Sequence, residues 1–194
     1  MFKFGKNAQN KNALRKLKLM DMGEWQCTCC NAVHSGLPDL ATTYPDIAGV
    51  PKTPELNSAL SLKENFLSED FCVLNGEHFF IRTILKFQVN GLGKEFGFGV
   101  WSSLSRENFE HYIENFDQGL PEGEELSWFS WFMTSLNYFE ETFKAKTSVI
   151  PQPNRQRPTV LFAEKSHRIY QMQRDGIEPV EMLKIYNHYG CQPA

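Results

Sequence analysis

Thiol and imidazole groups crowd one stretch of this 194-residue chain, Trp25 to His34, which reads Trp-Gln-Cys-Thr-Cys-Cys-Asn-Ala-Val-His. Cys27-x2-Cys30 places two soft sulfurs in one turn, which is half of a tetrahedral zinc site. His34, four residues beyond Cys30, can swing to the same metal, and Cys29 could substitute for either sulfur. No second C-x-x-C exists to complete the set. Cys72, at the start of an expected strand, is the isolated thiol of interest, with His78 and His167 as the other candidates for the fourth ligand. A structural zinc held by Cys27, Cys30, His34 and Cys72 is the leading reading. Reduced cysteines without metal, a redox dithiol and a catalytic zinc are the alternatives. The redox reading wants the pair at a helix N-terminus after a strand, and no strong strand precedes Cys27. The catalytic one wants H-E-x-x-H or a deaminase-like H-x-E with P-C-x-x-C, and neither occurs.

Other chemistry-bearing patterns are weaker. Gly91-x-Gly93-x3-Gly97 is not a dinucleotide fingerprint and leads into a strand rather than a helix. There is no P-loop and no G-x-S-x-G. Glu107, Glu110, His111 and Glu114 share the polar side of one expected helix and read as a solvated face. The aromatic cluster at 128–139 lacks interleaved Lys or Arg, so it reads as core rather than as a base-stacking surface.

The elements that must position these residues follow from periodicity and turn chemistry. Residues 35–65, broken by Pro38, Pro45, Pro51 and Pro54, read as a loop with one short helix at 55–62. Phe71 to Leu74 is a short strand ending at Asn75-Gly76. Residues 78–89 alternate with period two, Phe79, Ile81, Thr83, Leu85, Phe87 and Val89 on one face. Residues 95–104 alternate again, so the two runs predict an antiparallel hairpin. The glycines at 97 and 99 leave room on one face for close approach of another group. Ser105 caps a helix with the stripe Phe109, Tyr112, Ile113 and Phe116, ending near Gly119-Leu120-Pro121. Strands at 143–150 and 159–163 follow. One helix runs from Ser166 to near Gly176, and a last one runs from Pro179 to Gly190. The order lacks the β-α alternation of a parallel sheet. It predicts an α+β fold: a mainly antiparallel sheet, flanking helices and an N-terminal zinc-knuckle-like segment.

Net charge is −3, but residues 1–20 carry six bases and no acid, leaving 14 bases against 23 acids in the remainder. A basic arm, residues 1–22, is expected to precede a single α+β domain at 23–190. Leu14, Leu17 and Leu19 among its lysines allow a short amphipathic helix, but the arm reads as a solvated terminus dispensable for folding, since few apolar groups stand among its charges. Aromatics at 13% and charged residues at 22% suit a packed core and exclude low-complexity, collagen-like and coiled-coil classes. No apolar run is long enough to span a membrane and no secretory h-region is seen, so the expected location is the cytoplasm. That location also favours thiols or metal over disulfides.

Several strings resemble a bacterial family of uncharacterised proteins, the domain of unknown function 2199. They are Trp-Gln-Cys-x-x-Cys-x3-His-x-Gly-Leu-Pro at 25–38, Ser68-Glu69-Asp70-Phe71-Cys72, His78-Phe79-Phe80-Ile81-Arg82, Phe98 to Ser105 with Asn108-Phe109, Arg157-Pro158, His167 and Gly176-Ile177. The basic arm, the proline-poor stretch after His167 and the extra Cys29 depart from the family pattern. The resemblance implies a bacterial, cytosolic protein and assigns no reaction. It also implies that Cys27, Cys30, His34 and Cys72 belong together.

Three functions are open at this point. The leading one is a non-enzymatic, zinc-stabilised binding or adaptor protein, of which a toxin-neutralising immunity protein is one concrete form. Its docking face for a basic partner would be Glu107, Glu110 and Glu114, part of seven acids against one base between Arg106 and Glu125. The second is an enzyme with Arg82, Trp101, Arg157 and His167 converging on one pocket. The third is a nucleic-acid-associated protein acting through the zinc segment and the arm, against which the acidic body argues.

Overall fold

The computed structural model describes residues 2–119 and 126–193, with side chains from residue 7 onward. Leu120, Pro121, Glu122, Glu124 and Glu125 lie outside the described residues. The fold is α+β, and the chain divides into two compact units. Unit 1 gathers residues 1–39, 87–97 and 171–194; unit 2 holds 40–86 and 98–170.

Unit 1 opens with helix α1, Phe2–Met22. Ala13, Leu17 and Met20 recur at i, i+4 and i+7 and are buried, Leu17 completely. They form the inner stripe of a helix that packs on the last one, α4, Pro179–His188, whose Met182, Ile185 and Tyr186 are buried in turn. Polar ties support the packing: Asn10 Nδ2 donates to Glu178 Oε2 at 2.6 Å, and Lys94 pairs with Asp21 at 2.6 Å. The expected solvated arm is therefore a docked helix. Lys11, Lys16 and Lys18 face water, while Ala13, Leu17 and Met20 turn inward. Beside α1 lies a two-stranded antiparallel ribbon, β1 (Glu24–Gln26) and β2 (Val33–Ser35).

Unit 2 is built on a sheet. Its strands are β3 (Leu40–Ala41), β4 (Phe66–Leu67), β5 (Phe71–Leu74), β6 (His78–Val89), β7 (Lys94–Leu104), β8 (Trp128–Trp131), β9 (Lys146–Ile150) and β10 (Thr159–Phe162). The order is β3-β7-β6-β10-β9-β8, with β5 on the first half of β6 and β4 on β5. Pairs β4–β5, β5–β6, β9–β10 and β8–β9 are antiparallel. Pairs β3–β7 and β6–β10 are parallel, so the sheet is mixed. The far ends of β6 and β7 and the turn 90–93 belong to unit 1.

The glycines of β7 do admit close neighbours. A Cβ at Gly99 would sit 3.0 Å from that of Ala41 on β3, and one at Gly97 would meet the Asp39 carboxylate, which accepts from Gly97 N at 2.7 Å. Helix α2, Arg106–Glu114, starts as its sequence dictates: the Ser105 hydroxyl accepts from Asn108 N at 3.2 Å. Its Phe109 and Tyr112 are buried with Phe71, Phe79, Ile81, Trp128 and Val149 in one apolar cluster of the unit. In the 128–139 cluster, Trp128, Phe132 and Phe139 are core. Phe129 and Trp131 instead point outward, because β8 alternates at the end of the sheet. Helix α3, Arg168–Asp175, and a single 3-10 turn at Asn57–Ala59, where the sequence predicts a short helix over 55–62, complete the described elements.

Leu17→Ala is expected to lower unfolding free energy by about 2–5 kcal/mol in urea titration, the usual result of emptying a fully buried leucine site. A loss below about 0.5 kcal/mol, the range of surface positions, would mean that α1 does not hold its place in solution.

Candidate metal centre

The ribbon presents its ligands through short-range geometry. Trp25 and His34 lie opposite each other in the β1–β2 register, ring centroids 5.0 Å apart. The Trp25 indole donates to Gly36 O at 3.0 Å, which fixes the surface against which the imidazole rests. Between the strands the chain folds back on itself: Cys27 N donates to Ala32 O at 2.9 Å and Asn31 N to Cys27 O at 3.0 Å, with Asn31 at φ +59°. Asparagine tolerates that left-handed conformation. The result turns Cys30 Sγ onto His34 Nε2, 3.4 Å away.

A fourth sulfur comes from the other end of the chain. Helix α4 closes with Cys191 N donating to Tyr186 O at 2.8 Å and Gly190 N donating to Asn187 O at 3.2 Å, the paired bonds of a Schellman motif. Gly190, at φ +73°, is the left-handed residue that motif requires. A Cβ there would also lie 3.2 Å from Cys29 Cβ. The reversal aims Cys191, buried, back at the ribbon, where its Sγ lies 3.9 Å from Cys27 Sγ. Backbone contacts lock the approach: Thr28 N donates to Gln192 O at 2.9 Å, and the Thr28 hydroxyl reaches Gly190 O at 3.0 Å.

Two overlapping sets result. Cys27, His34 and Cys191 offer ligand atoms within 4.8 Å of one another, and so do Cys27, Cys29 and Cys30. Either set could hold a metal ion, and Cys27 belongs to both. Burial alone would raise the Cys27 thiol, but hydrogen bonds from the backbone and thiols of Cys29 and Cys30 outweigh it and bring it down to about 6. Cys29, 3.2 Å away sulfur to sulfur, is pushed up to about 11, first by its hydrogen bond to Cys27 and then by burial. Burial, with the neighbouring Cys27 sulfur, raises Cys191 to about 12. One sulfur is thus ready to bind as thiolate near neutral pH.

Cys72 belongs to neither set. Its thiol is fully buried in unit 2 beside Leu67, Phe80 and Trp101, where burial pushes it up to about 12. With Leu74 it fills one of the two buried faces of β5 as a small apolar side chain. The sulfur that lies beside Cys27 from a distant part of the chain is that of Cys191. The signal was present: a cysteine directly after the glycine that ends a helix is carried back along that helix. His78 stands exposed at the start of β6.

The pocket candidates separate as well. Arg82, mostly buried, donates to Glu69 O at 2.8 Å and Thr43 O at 3.2 Å, and its guanidinium lies 4.9 Å from the Trp101 ring centre. Arg157 donates to Asp70 Oδ1 at 2.8 Å and pairs with Glu69. Asn57 Nδ2 donates to the other Asp70 oxygen at 2.8 Å. Two of the four, Arg82 and Arg157, therefore meet at Glu69 and Asp70, while Trp101 reaches that group only through the Arg82 guanidinium. His167 instead stacks on Phe162, accepts from Ile169 N at 3.1 Å, and lines a cleft with Glu140, Glu141, Glu164 and Arg168. On α2, Glu107 and Glu114 are exposed, while Glu110 meets Arg106 at 3.3 Å.

The profile of a bacterial family described as "Uncharacterized protein conserved in bacteria (DUF2199)" matches residues 26–177. The chain belongs to this family. No curated protein and no solved structure matches the chain. The DUF2199 segment contains Cys27, Cys30, His34 and Cys72, whereas α4 and Cys191 lie beyond its end. Among the described residues, no helix is long and apolar enough to cross a membrane.

The depressed Cys27 value sets a pH dependence for the metal-free, reduced chain. A thiol that ionises near 6 when folded and near 9 when unfolded contributes stability that is complete above pH 9. That stability is lost as pH falls through 6. Ultraviolet absorbance should show one thiolate appearing near pH 6, absent in Cys27→Ser. A wild-type titration with every thiol ionising above pH 8 would refute this ordering of the sulfurs.

Proposed function

We propose that the chain is a non-enzymatic binding protein in which one structural zinc, held by Cys27, Cys30, His34 and Cys191, fastens the ribbon of unit 1 to the end of α4. The observation that carries the reading is the convergence of a buried sulfur from residue 191 on the sulfur of Cys27, within reach of the His34 imidazole. Three thiolates and an imidazole suit zinc, which favours mixed sulfur and nitrogen ligands in a tetrahedron. A full set of four protein ligands leaves no open position, which is the character of a structural site. Against an enzyme pocket, Arg82 and Arg157 are already committed to neighbouring carboxylates and carbonyls, and Trp101 is completely buried. The outward carboxylates Glu107, Glu110 and Glu114 on α2 suit a basic protein partner, a toxin neutralised by an immunity-type protein being one form.

Metal analysis of protein prepared without chelator should find close to one zinc per chain. Cys191→Ser should lose most of it, while Cys72→Ser should keep it. Wild-type protein free of metal, or a Cys72→Ser variant that loses zinc while Cys191→Ser keeps it, would overturn the ligand set. Reversing Glu110 and Glu114 to Lys should change stability by no more than about 0.5 kcal/mol, as surface positions do. It should also abolish capture of the basic partner at low salt, and unchanged capture would remove α2 as the docking face.

A further inference from the structure

The cluster holds one sulfur more than a tetrahedral ion can use. With Cys27, Cys30, His34 and Cys191 filling four positions, Cys29 is left over. It is exposed, yet its Sγ lies 3.2 Å from that of Cys27, closer than the 3.9 Å between Cys27 and Cys191. Cys30, also exposed, faces the His34 nitrogen instead. Cys27 itself is fully buried, so a small oxidant arriving from water meets Cys29 first. The tight turn at 27–30 and the close approach of Gly190 to Cys29 Cβ hold the two sulfurs side by side.

We propose that Cys29 is an oxidation site whose product is a Cys27–Cys29 disulfide, and that this link withdraws Cys27 from the metal. The inference rests on the zinc reading above for its second half only. The oxidant class is a peroxide. Cys29 gives up its proton to water, its sulfur attacks one oxygen of hydrogen peroxide, the O–O bond breaks, and the departing hydroxide takes up a proton to leave as water, with Cys29 now a sulfenic acid. The Cys27 thiolate then attacks the Cys29 sulfur, an S–S bond forms and hydroxide leaves. The two sulfurs together give up two electrons and the peroxide takes them. The metal, reduced to three ligands, is released, and with it the tie between the ribbon and the end of α4. A dithiol reductant reverses the link and restores the site.

The test treats the full chain, loaded with zinc, with hydrogen peroxide beside Cys29→Ser and Cys29→Ala, both first shown to carry the same zinc content. A chromogenic chelator reads zinc release. Alkylation after denaturation reads which thiols are protected. Wild type should release zinc roughly ten-fold faster than either variant, since Cys29 is the exposed sulfur of the pair and both variants remove the only partner placed 3.2 Å from Cys27 Sγ. Cys27 and Cys29 should be protected while Cys30, Cys72 and Cys191 react, and dithiothreitol should restore zinc binding. Equal release from the variants, or a link formed through Cys30 or Cys191, would overturn the proposal. If the chain carries no zinc at the outset, the zinc reading fails. The alkylation map then decides alone, a Cys27–Cys29 link upholding the oxidation site and free Cys29 refuting it.

Discussion

The return of the chain at Gly190 is the constraint on which unit 1 depends. A glycine in the left-handed region ends α4 and sends Cys191 back beside Cys27. Everything else in that unit is arranged to keep the encounter in place. Helix α1 buries Leu17 against α4, and Tyr186 of α4 donates its hydroxyl to Pro38 O at 2.8 Å and packs edge-on against Phe96. The ribbon contributes little apolar surface of its own, with Trp25 and Cys27 as its buried side chains. Two strands of three residues form only a marginal hairpin in water. Their persistence requires the sulfur cluster, the helix pair and the backbone bonds from Thr28 to the chain end acting together.

Unit 2 solves a different problem. Its stability comes from a conventional apolar layer, α2 laid on the sheet. The polar group at its heart is Asp70, which accepts from Arg157 and from Asn57. Burial works against charge on Arg157, yet the hydrogen bonds to Asp70 and Glu69 outweigh it and raise its pKa. Arg82 nearby is pulled the other way, by burial and by Arg157 itself. Such an arrangement satisfies two guanidinium groups chiefly through fixed carbonyls and carboxylates. This is how a partly buried cation avoids an unpaired charge.

Legibility followed the length of each periodic signal. The twelve residues of β6 emerge from the sequence with the right bounds, because five apolar residues alternate on one face with only Thr83 between them. The cap of α2 at Ser105, and α4 between Pro179 and Gly190, are equally plain. The three-residue strands of the ribbon are too short to show a period, so the pairing of Trp25 with His34 leaves no trace in the sequence. Helix α1 is only half legible: Leu14, Leu17 and Leu19 allow a short helix, but the stripe it buries is Ala13, Leu17 and Met20, set among six bases, and Leu19 is exposed. The ribbon's share of the sulfur cluster is legible, since Cys27, Cys30 and His34 are neighbours in the chain. Cys72 competes with Cys191 for the remaining place, and local spacing has nothing to say about two residues 119 apart.

The way unit 1 is assembled from both ends of the chain sets the timing of its birth. Unit 2 lies between residues 40 and 170 and can begin to pack while the remainder is still being synthesised. Unit 1 needs residues 171–194 and so cannot close until they have left the ribosome. Until then, Cys27, Cys29 and Cys30 wait as open thiols on the nascent polypeptide, with their buried partner not yet made. The reducing capacity of the surroundings during those seconds, rather than the stability of the finished protein, then governs what fraction of chains matures with its sulfurs intact.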